Sequence, residues 1–299
     1  MKYYFIVNPL AGDGKAVESI KEQIEGRKDC ELYETKAPLD ATEFVRKTIE
    51  ENKGSKMRFV ACGGDGTINE VFSGAIGAGD NVSVSVYPCG SGNDFVKVFG
   101  GTEKFDSIDK IIAAKEQKLD ALKVGDRYSF NVTNFGFDTT VAITINKERE
   151  KTGHGNKNAY TKGVVTALLK SMNNKCSVWA DDELLNPSGK ALLCTVANGQ
   201  YVGGSFKCAP RASTNDGLIE VCLIKPISRI RFVKILTPYT NGEHLDREDM
   251  ADIITYRQAK KVHVTAPDGF AYSLDGEIIY SSDFEIEIIP GALNLAVPE

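Results

Sequence analysis

The sequence has few of the residues that build metal centres and disulfide frameworks. Its 299 residues include three histidines and one tryptophan. Seven cysteines are present, but they are odd in number, widely scattered and contain no C-x-x-C pair. This pattern argues against a zinc site or a set of disulfides, and it favours a reducing, cytoplasmic environment.

Long apolar runs are also missing. No segment approaches the run of about twenty apolar residues that a transmembrane helix needs. The short apolar run at residues 3–7 leads directly into Asn8 and Pro9, which predicts a buried strand ending in a loop rather than a secretory signal. The formal net charge of −5 argues against a nucleic-acid partner, because binding phosphates along a backbone requires a basic face.

Apolar runs and amphipathic stretches alternate over the first third of the chain. The pattern predicts strands at residues 3–7, 30–34, 58–62 and 82–86, with helices at residues 16–24, 41–51 and 67–75. Alternation of this kind is typical of βαβ units. We therefore expect an α/β N-terminal domain with a doubly wound, mostly parallel sheet.

The pattern changes near residue 120. Short β-rich runs separated by Gly, Asn and Asp clusters follow, at residues 121–124, 128–137, 177–180, 190–199, 218–224, 261–266, 270–274 and 284–289. Helices are predicted at residues 139–149, 159–172 and 228–236. Many short strands with turn signals between them predict a C-terminal antiparallel β-sandwich with inserted helices.

Three glycines follow the third predicted strand. Gly63, Gly64 and Gly66 occur in CGGDGTINEV at residues 62–71, before a helix that we expect to begin at Thr67. Glycine permits a tight turn and a close backbone approach to a ligand. A helix start directly afterwards offers free N–H groups and the positive end of the helix dipole, and both favour a bound phosphate.

This loop departs from the two common glycine motifs. Pro9 stands where the first glycine of a Walker A loop would be, and Asn69 occupies the third glycine position of the Rossmann fingerprint. A purely structural interpretation is also open, because Thr67 and Glu70 have the spacing of a capping box. A capping box requires neither three glycines nor Asp65, so a phosphate-binding loop is the stronger interpretation.

Two further glycine-bearing loops follow predicted strands. The sequence NPLAG occupies residues 8–12, after the first strand, and PCGSGNDF occupies residues 88–95, after the strand at 82–86. In a doubly wound sheet, ligands bind at the carboxyl ends of the strands. We therefore expect the three loops to converge on one crevice.

Together these elements resemble the catalytic domain of diacylglycerol kinases and related bacterial lipid kinases. GGDGT at residues 63–67 is the centre of the resemblance, and GGDG alone is also similar to an element of NAD kinases and phosphofructokinases. The longer set is more specific. It comprises NPxxG at 8–12, ET at 34–35, PxGxxNDF at 88–95, the Gly203-Gly204 and Pro210 element, DGL at 216–218 and LDGE at 274–277.

The resemblance implies an ATP-binding α/β domain over residues 1–122, similar to that of NAD kinases, and a β-sandwich lipid-substrate domain over residues 123–290. Residues 291–299 would return to the first domain, and ATP would occupy the cleft between the domains. Carried over by position, the nucleotide contacts fall on Asn8, Thr35, Gly63, Gly64, Asp65, Gly66, Thr67, Ile68, Asn69, Ser91, Asn93 and Asp94.

Catalytic roles follow from the same resemblance. Glu277 would be the general base that accepts the proton of a lipid hydroxyl, with Asp275 beside it, and Asp65 would act near the phosphates through Mg²⁺. The residues by themselves allow another interpretation, in which Glu277 is simply an exposed residue of a hairpin that turns at Gly276.

A structural Mg²⁺ site is also implied, and it would fall on Ser213, Asp216 and the backbone carbonyl of Leu218. Oxygen ligands of this kind suit a hard cation. Asp216 lies between Asn215 and Gly217, however, and all three residue types favour turns, so a plain turn is the alternative.

The implied reaction is the Mg²⁺-dependent phosphorylation of a lipid hydroxyl by ATP, with conversion of diacylglycerol to phosphatidic acid as the default. LDGE and PxGxxNDF favour this lipid kinase over two alternatives. One is an NAD kinase-like enzyme with a soluble acceptor, and the other is a nucleotide- or lipid-binding regulator without turnover.

An enzyme that acts on a membrane lipid has to bind the surface of the membrane. Residues 146–175 contain seven Lys or Arg against two Glu, and basic residues favour anionic lipid surfaces. Apolar contact would come from Val164, Val165, Ala167, Leu168 and Leu169. We therefore expect transient, peripheral contact with the inner face of the membrane, and the sequence leaves the oligomeric state open between a monomer and a homodimer.

Overall fold

The structure, a computed structural model, describes residues 1–12, 14–90, 92–152 and 157–299. The chain divides into two units. Unit 1 comprises Met1–Ala121, Thr214–Asp216 and Ile289–Glu299, and unit 2 comprises Leu122–Ser213 and Gly217–Ile288. Among the described residues, no helix is both long enough and apolar enough to cross a membrane.

Strands and helices alternate through unit 1. They are β1 (Lys2–Val7), α1 (Ala16–Ile24), β2 (Cys30–Glu34), α2 (Asp40–Glu51), β3 (Met57–Gly63), α3 (Asp65–Ala75), β4 (Val82–Pro88), α4 (Ile108–Ala113) and β5 (Lys115–Val124), with 3₁₀ turns at Phe95–Phe99 and Thr102–Phe105. The last three residues of β5 belong to unit 2.

The sheet of unit 1 is parallel, in the strand order β2-β1-β3-β4. Its central strand β3 is buried along its whole length, as expected for a strand covered on both faces. Phe5, Val60 and Ile20 belong to a core that also contains Ile108 and Ile111 of α4. The doubly wound α/β fold predicted from the sequence is confirmed.

Unit 2 is rich in short strands. Its elements are β6 (Arg127–Ser129), β7 (Val132–Gly136), α5 (Phe137–Thr152), α6 (Lys157–Lys170), β8 (Asn174–Lys175), β9 (Ser177–Ala180), β10 (Glu183–Leu184), β11 (Lys190–Ala191), β12 (Leu193–Ala197), β13 (Ile219–Ile224), α7 (Arg229–Asn241), β14 (Ile254–Ala259), β15 (Lys261–Thr265), β16 (Ala271–Leu274), β17 (Glu277–Tyr280) and β18 (Asp283–Val297), with a 3₁₀ turn at Glu248–Met250. The end of β18 belongs to unit 1, where Leu295 pairs with Val84 of β4.

Two antiparallel layers make a sandwich in unit 2. One is a six-stranded sheet in the order β14-β13-β12-β7-β16-β17, and the other contains β10-β9-β15 and the start of β18. A single core joins them, with Val262 and Ile286 from one layer and Phe135 and Val221 from the other. The predicted β-sandwich is confirmed.

The three long helices of unit 2 share a second core. Phe137 at the start of α5, Ala167 of α6 and Phe232 of α7 belong to one buried cluster together with Leu193 and Ile224 of the six-stranded sheet. These helices therefore cover the face of that sheet that points away from the sandwich core.

Two sequence predictions need correction. The helix after the glycine loop begins at Asp65 rather than at Thr67. The single strand predicted at residues 128–137 is two strands, β6 and β7, separated by Phe130 and Asn131. The break has a physical cause in the carboxylate of Asp275, which binds the backbone at this point and is described below.

Candidate functional site

The carboxyl ends of β1, β3 and β4 lie side by side and carry the three glycine-bearing loops. Val7 pairs with Cys62, and Gly63 pairs with Pro88. The amide of Asn8 donates to the carbonyl of Cys62 at 3.2 Å, and the amide of Thr35 donates to the carbonyl of Val7 at 2.9 Å. The structure therefore brings the predicted nucleotide contacts at Asn8, Thr35 and Gly63 to one edge of the sheet.

The loops touch through their glycines. A Cβ atom on Gly90 would lie 2.3 Å from the Cα of Gly64, and one on Gly12, where φ is +63°, would lie 2.4 Å from the carbonyl oxygen of Cys89. The amides of Cys89 and Gly90 both donate to the carbonyl of Gly63, at 3.1 and 3.2 Å. Any side chain at these positions would push the loops apart, so the glycines are required by backbone contact.

Among the described residues, no side chain caps the start of α3. Gly64 is its N-cap residue, and α3 begins at Asp65, so the capping box of Thr67 and Glu70 is not formed. The first N–H groups of a helix lack acceptors within the helix, which leaves the amides of Gly66 and Thr67 oriented for an anion. Thr67 itself is buried, and its Oγ1 would be 2.2 Å from a Cβ on Gly63.

Two of the predicted contacts, one buried and one half-buried, lie in the first turns of α3. Ile68 is buried in the core, and its amide donates to the carbonyl of Gly64 at 3.1 Å. Asn69 accepts from the hydroxyl of Ser73 at 3.4 Å through its Oδ1. Ile68 therefore supports the loop from the core, and its assignment as a nucleotide contact stays a prediction.

Polar side chains of the loop after β4 meet the same helix start. The Oδ1 of Asp65 accepts from the amide of Phe95 at 3.3 Å, and its Oδ2 would be 2.9 Å from a Cβ on Gly92. Asp94 forms an ion pair of 2.6 Å with Lys97. Ser91, which lies in the same loop, is outside the described residues.

Asn93 occupies a special position in this loop. Its backbone is left-handed, with φ of 51°, and its Nδ2 donates to the carbonyl of Gly90 at 2.8 Å. The residue is 8% exposed, and its Oδ1 has no hydrogen-bond partner among the residues that the structure describes. A buried acceptor of this kind costs free energy unless a ligand or water donates to it.

In unit 2, Asp275 and Gly276 form the two-residue turn of the β16–β17 hairpin. Both have positive φ, 47° and 94°, as a type I′ turn requires. The Oδ1 of Asp275 accepts from the hydroxyl of Ser129 at 2.7 Å and from the amides of Asn131 and Val132 at 3.1 and 3.0 Å. Its Oδ2 accepts from the amide of Phe130 at 2.8 Å.

These hydrogen bonds give Asp275 a structural task. Four donors from residues 129–132 bind one carboxylate. The backbone amides among them are therefore not available for strand pairing, and this separates β6 from β7. A carboxylate held in this way orients the hairpin through charge-assisted hydrogen bonds. We therefore interpret Asp275 as a residue that positions its neighbour Glu277.

Glu277 begins β17 on the exposed side of the hairpin. Its Oε1 accepts from the Nη1 of Arg127 at 2.8 Å, and the two side chains are 62% and 47% exposed. The carboxylate raises the pKa of Arg127 through this hydrogen bond. The hairpin turn therefore presents Glu277 to solvent, with a guanidinium group fixing one of its oxygens.

Comparison with known proteins covers both units. The model of the diacylglycerol kinase catalytic domain matches residues 2–124, and that of the YegS C-terminal NAD kinase beta sandwich-like domain matches residues 131–297. "Probable lipid kinase YegS" of Salmonella arizonae is 31% identical over 271 residues, which are 85% of this chain and 86% of the relative. The chain belongs to this family of lipid kinases.

Other members support the assignment. "Probable lipid kinase YegS-like" of Chromohalobacter salexigens is 27% identical over 262 residues, covering 85% of this chain and 80% of the relative. A crystal structure of a diacylglycerol kinase from Bacillus anthracis str. Sterne shares the fold, with a TM-score of 0.71 at 18% identity over 99% of this chain and 96% of that one. As a family member, the protein is a kinase.

Sequence reasoning missed one titratable residue of this lipid kinase. Asp138 lies in the first turn of α5, near Asn134, whose Nδ2 is 3.5 Å from its carboxylate. Burial raises its pKa to about 6, and burial together with this carboxylate raises the pKa of Tyr239. Nothing in its sequence context distinguishes Asp138 from an ordinary acidic residue at a helix start, because the burial depends on the tertiary fold.

The residues predicted to hold a structural metal lie in the loop between β12 and β13. Asp216 is exposed and belongs to unit 1, whereas Ser213 and Leu218 belong to unit 2. Within the described part of the chain, no group of three His, Cys, Asp or Glu side chains could hold a metal ion. A cation here would therefore depend on hydroxyl and carbonyl oxygens, and the metal assignment stays a prediction.

The contact between Gly64 and Gly90 can be tested by adding one methyl group. We expect Gly90→Ala to lower the free energy of unfolding by about 2–4 kcal/mol, because its Cβ would overlap backbone that cannot turn away. Gly66→Ala is the matched control, since its Cβ would meet nothing within 4 Å and alanine favours a helix. Urea unfolding without nucleotide measures both, and equal stabilities would contradict the proposed contact.

Asp138 should make stability depend on pH. Its folded pKa of about 6 lies above the ordinary value of 3.8, so folding opposes its ionisation. The contribution of the Asp138 carboxyl group to the free energy of unfolding should be greatest below about pH 4 and fall by up to about 3 kcal/mol as the pH rises through 6. Asp138→Asn should match the wild type at pH 4 and exceed it at pH 8 in urea unfolding.

A substitution at an exposed turn supplies the control for that experiment. Asp182→Asn should leave the difference from the wild type unchanged between pH 4 and pH 8. A difference between Asp138→Asn and the wild type that is constant over this range would show that the carboxyl group is not opposed by folding.

Proposed function

We propose that this protein transfers the γ-phosphoryl group of ATP to the hydroxyl of a membrane lipid, with diacylglycerol as the acceptor and phosphatidic acid as the product. The observation that carries the proposal is the contact of three glycine-bearing loops at the uncapped start of α3. Such an arrangement suits the phosphates of a nucleotide, and the family supplies the reaction class.

The residues of unit 1 fit a nucleotide phosphate chain. The amides of Gly64, Gly66 and Thr67 would donate to phosphate oxygens, where the dipole of α3 adds positive potential. The buried Oδ1 of Asn93, which accepts no hydrogen bond from the described residues, would accept one from the nucleotide or its water shell. A neutral asparagine oxygen can be placed beside phosphates without the repulsion that a carboxylate would add.

Magnesium fits the donors that remain. Mg²⁺ is usually held by one or two carboxylates together with substrate phosphates, and such a site needs no cluster of three acidic residues. Asp65 would hold the nucleotide-bound ion, and Ser213, Asp216 and the carbonyl of Leu218 would hold a second, structural one. When bound, the first ion would neutralise charge on the phosphates.

Glu277 would act as the general base. As the lipid oxygen forms its bond to the γ-phosphorus, the bond from that phosphorus to the β-phosphate oxygen breaks, and the hydroxyl proton passes to the Glu277 carboxylate. Arg127 holds one oxygen of Glu277, which would leave the other free for the proton. Asp275 would keep the hairpin in place during this step.

A pocket of about 550 Å³ in unit 2 supports an uncharged acceptor. Arg127 lines it, as do Tyr272, Ile279 and Phe284, which give it an apolar wall. The lining as a whole has four carboxylates, Asp126, Asp283, Glu285 and Glu287, against two cations, Lys123 and Arg127. A negative lining would repel an acceptor that already carries a phosphate, and this favours diacylglycerol over phosphatidylglycerol.

The acceptor can be identified with labelled ATP and Mg²⁺. We expect product with diacylglycerol at a rate at least tenfold above that with phosphatidylglycerol, because of the acidic pocket lining. Monoacylglycerol, sphingosine, undecaprenol and NAD complete the panel. Product with NAD alone would replace the lipid kinase by an NAD kinase-like enzyme, and product with none would favour a binding protein without turnover.

The role of Glu277 has its own test. Glu277→Gln should fold normally, because the side chain is exposed and the residue contributes one surface ion pair, which is worth little to stability. Its kcat should fall by about 10²–10⁴, the range expected for loss of a general base. Steady-state kinetics with diacylglycerol and thermal unfolding measure the two effects.

Two further variants make that test specific. Glu183→Gln removes another exposed, Arg-paired glutamate of unit 2 and should keep the kcat of the wild type. Arg127→Gln removes the partner of Glu277 and should keep most of the activity. If Glu277→Gln retained near-normal kcat, the base would have to be sought elsewhere.

A further inference from the structure

Two loops at the carboxyl edge of the sheet of unit 1 expose leucine side chains. Leu10 is 89% exposed in the loop after β1, and Leu39 is 63% exposed in the loop after β2. Among the described residues of unit 1, the only other large apolar side chain that is exposed belongs to Met1 at the chain start. Apolar exposure in unit 1 is therefore concentrated at the edge that carries the glycine-bearing loops.

Leu10 occupies a rigid turn. Pro9 precedes it, and the amide of Ala11 donates to the carbonyl of Asn8 at 3.0 Å. The amide of Leu10 donates to the Oδ1 of Asn8 at 2.9 Å. The fixed φ of proline and these two hydrogen bonds restrict the backbone, so the exposed side chain is held in a defined place.

Leu39 occupies a turn that is both rigid and strained. Its φ of 69° and ψ of −4° are those of the third position of a type II turn, in which Pro38 is the second. Glycine or asparagine is favoured there, because the Cβ of other residues is crowded. The carboxylate of Asp40 fixes the turn, since its Oδ1 accepts from the hydroxyl of Tyr33 at 2.9 Å and its Oδ2 from the amide of Lys36 at 2.8 Å. Strain of this kind at an exposed residue is typical of ligand sites.

The two turns lie beside the phosphate-binding loop of unit 1. In the strand order β2-β1-β3, neighbouring strands are about 4.8 Å apart, so the loops after β1 and β2 lie roughly 5 and 10 Å from the loop after β3. The Oγ1 of Thr42, near the start of α2, donates to the carbonyl of Glu70 of α3 at 2.8 Å. A nucleotide whose phosphates lie at the start of α3 is long enough to place its base at these turns.

The loops on the two sides of the α3 start differ in polarity. After β4, Asp94 pairs with Lys97, and Asp65 accepts from the amide of Phe95. Charged groups of this kind suit phosphates and their cation, whereas the leucine turns on the other side suit the apolar faces of a nucleobase. The difference orients a nucleotide with its base towards β2.

We propose that Leu10 and Leu39 form an apolar clamp that binds the faces of the nucleobase of the phosphoryl donor. The proposal rests on the proposed function above, because it assigns the base end of the same donor site. Since both turns are rigid before the nucleotide arrives, little affinity is lost in ordering them. This gives a reason for retaining a strained leucine where glycine would be easier.

Nucleotide binding tests the clamp without requiring catalysis. The ligands are a non-hydrolysable ATP analogue and inorganic tripolyphosphate, which has no base, both with Mg²⁺ in titration calorimetry of the full chain. The wild type should bind the analogue about tenfold or more tightly than tripolyphosphate. Leu10→Ser with Leu39→Asn should remove most of this difference and leave the Kd for tripolyphosphate unchanged.

The choice of substitutions separates binding from folding. Asparagine tolerates positive φ, and Leu10 is on the surface, so the double variant should unfold at the same urea concentration as the wild type. Leu10→Ser alone does not alter the strained turn and should weaken binding of the analogue by about threefold or more. Leu184→Ser changes an exposed leucine of unit 2 and should bind both ligands like the wild type.

Three results would overturn the clamp. They are an unchanged affinity for the analogue in the double variant, an equal loss for both ligands, and a loss of binding to phosphatidylglycerol vesicles with nucleotide affinity retained. The last result would assign the leucines to a membrane contact.

Kinetics distinguish this proposal from the proposed function. With diacylglycerol as acceptor, the double variant should raise the KM for ATP by about tenfold or more, and Leu184→Ser should keep the KM of the wild type. Clamp-dependent binding of the analogue without kinase activity on any acceptor would refute the function and leave the clamp intact. Kinase activity with an unchanged KM for ATP in the double variant would refute the clamp alone.

Discussion

The contact between the backbones of Gly64 and Gly90 is the constraint on which the arrangement of the glycine-bearing loops of unit 1 depends. It holds the loop after β3 against the loop after β4 at a separation that leaves no room for a side-chain carbon. Hydrogen bonds from Cys89 and Gly90 to the carbonyl of Gly63 fix the register of the two loops. The uncapped start of α3 and the buried side chain of Asn93 acquire their positions only because this contact exists.

In unit 2, the candidate residues are positioned by hydrogen bonds to a carboxylate and not by contact between glycines. There, one carboxylate collects hydrogen bonds from Ser129 and three successive amides, and it comes from a turn residue with positive φ. The strained turn at Asp275 is offset by these charge-assisted hydrogen bonds. The exposed Glu277 can therefore be held in a defined place, although its own hydrogen bond goes to the surface residue Arg127.

Much of this was predictable because it is local. Short-range sequence patterns and turn residues predict the alternation of strands and helices in unit 1, the sandwich and the three glycine loops. The rest depends on residues far apart in the chain. Arg58 lies in a strand predicted from its apolar residues. It is only 3% exposed and forms an ion pair with Glu116 at 2.9 Å. The split of β6 from β7 requires a carboxylate about 145 positions away, and no periodicity reveals it.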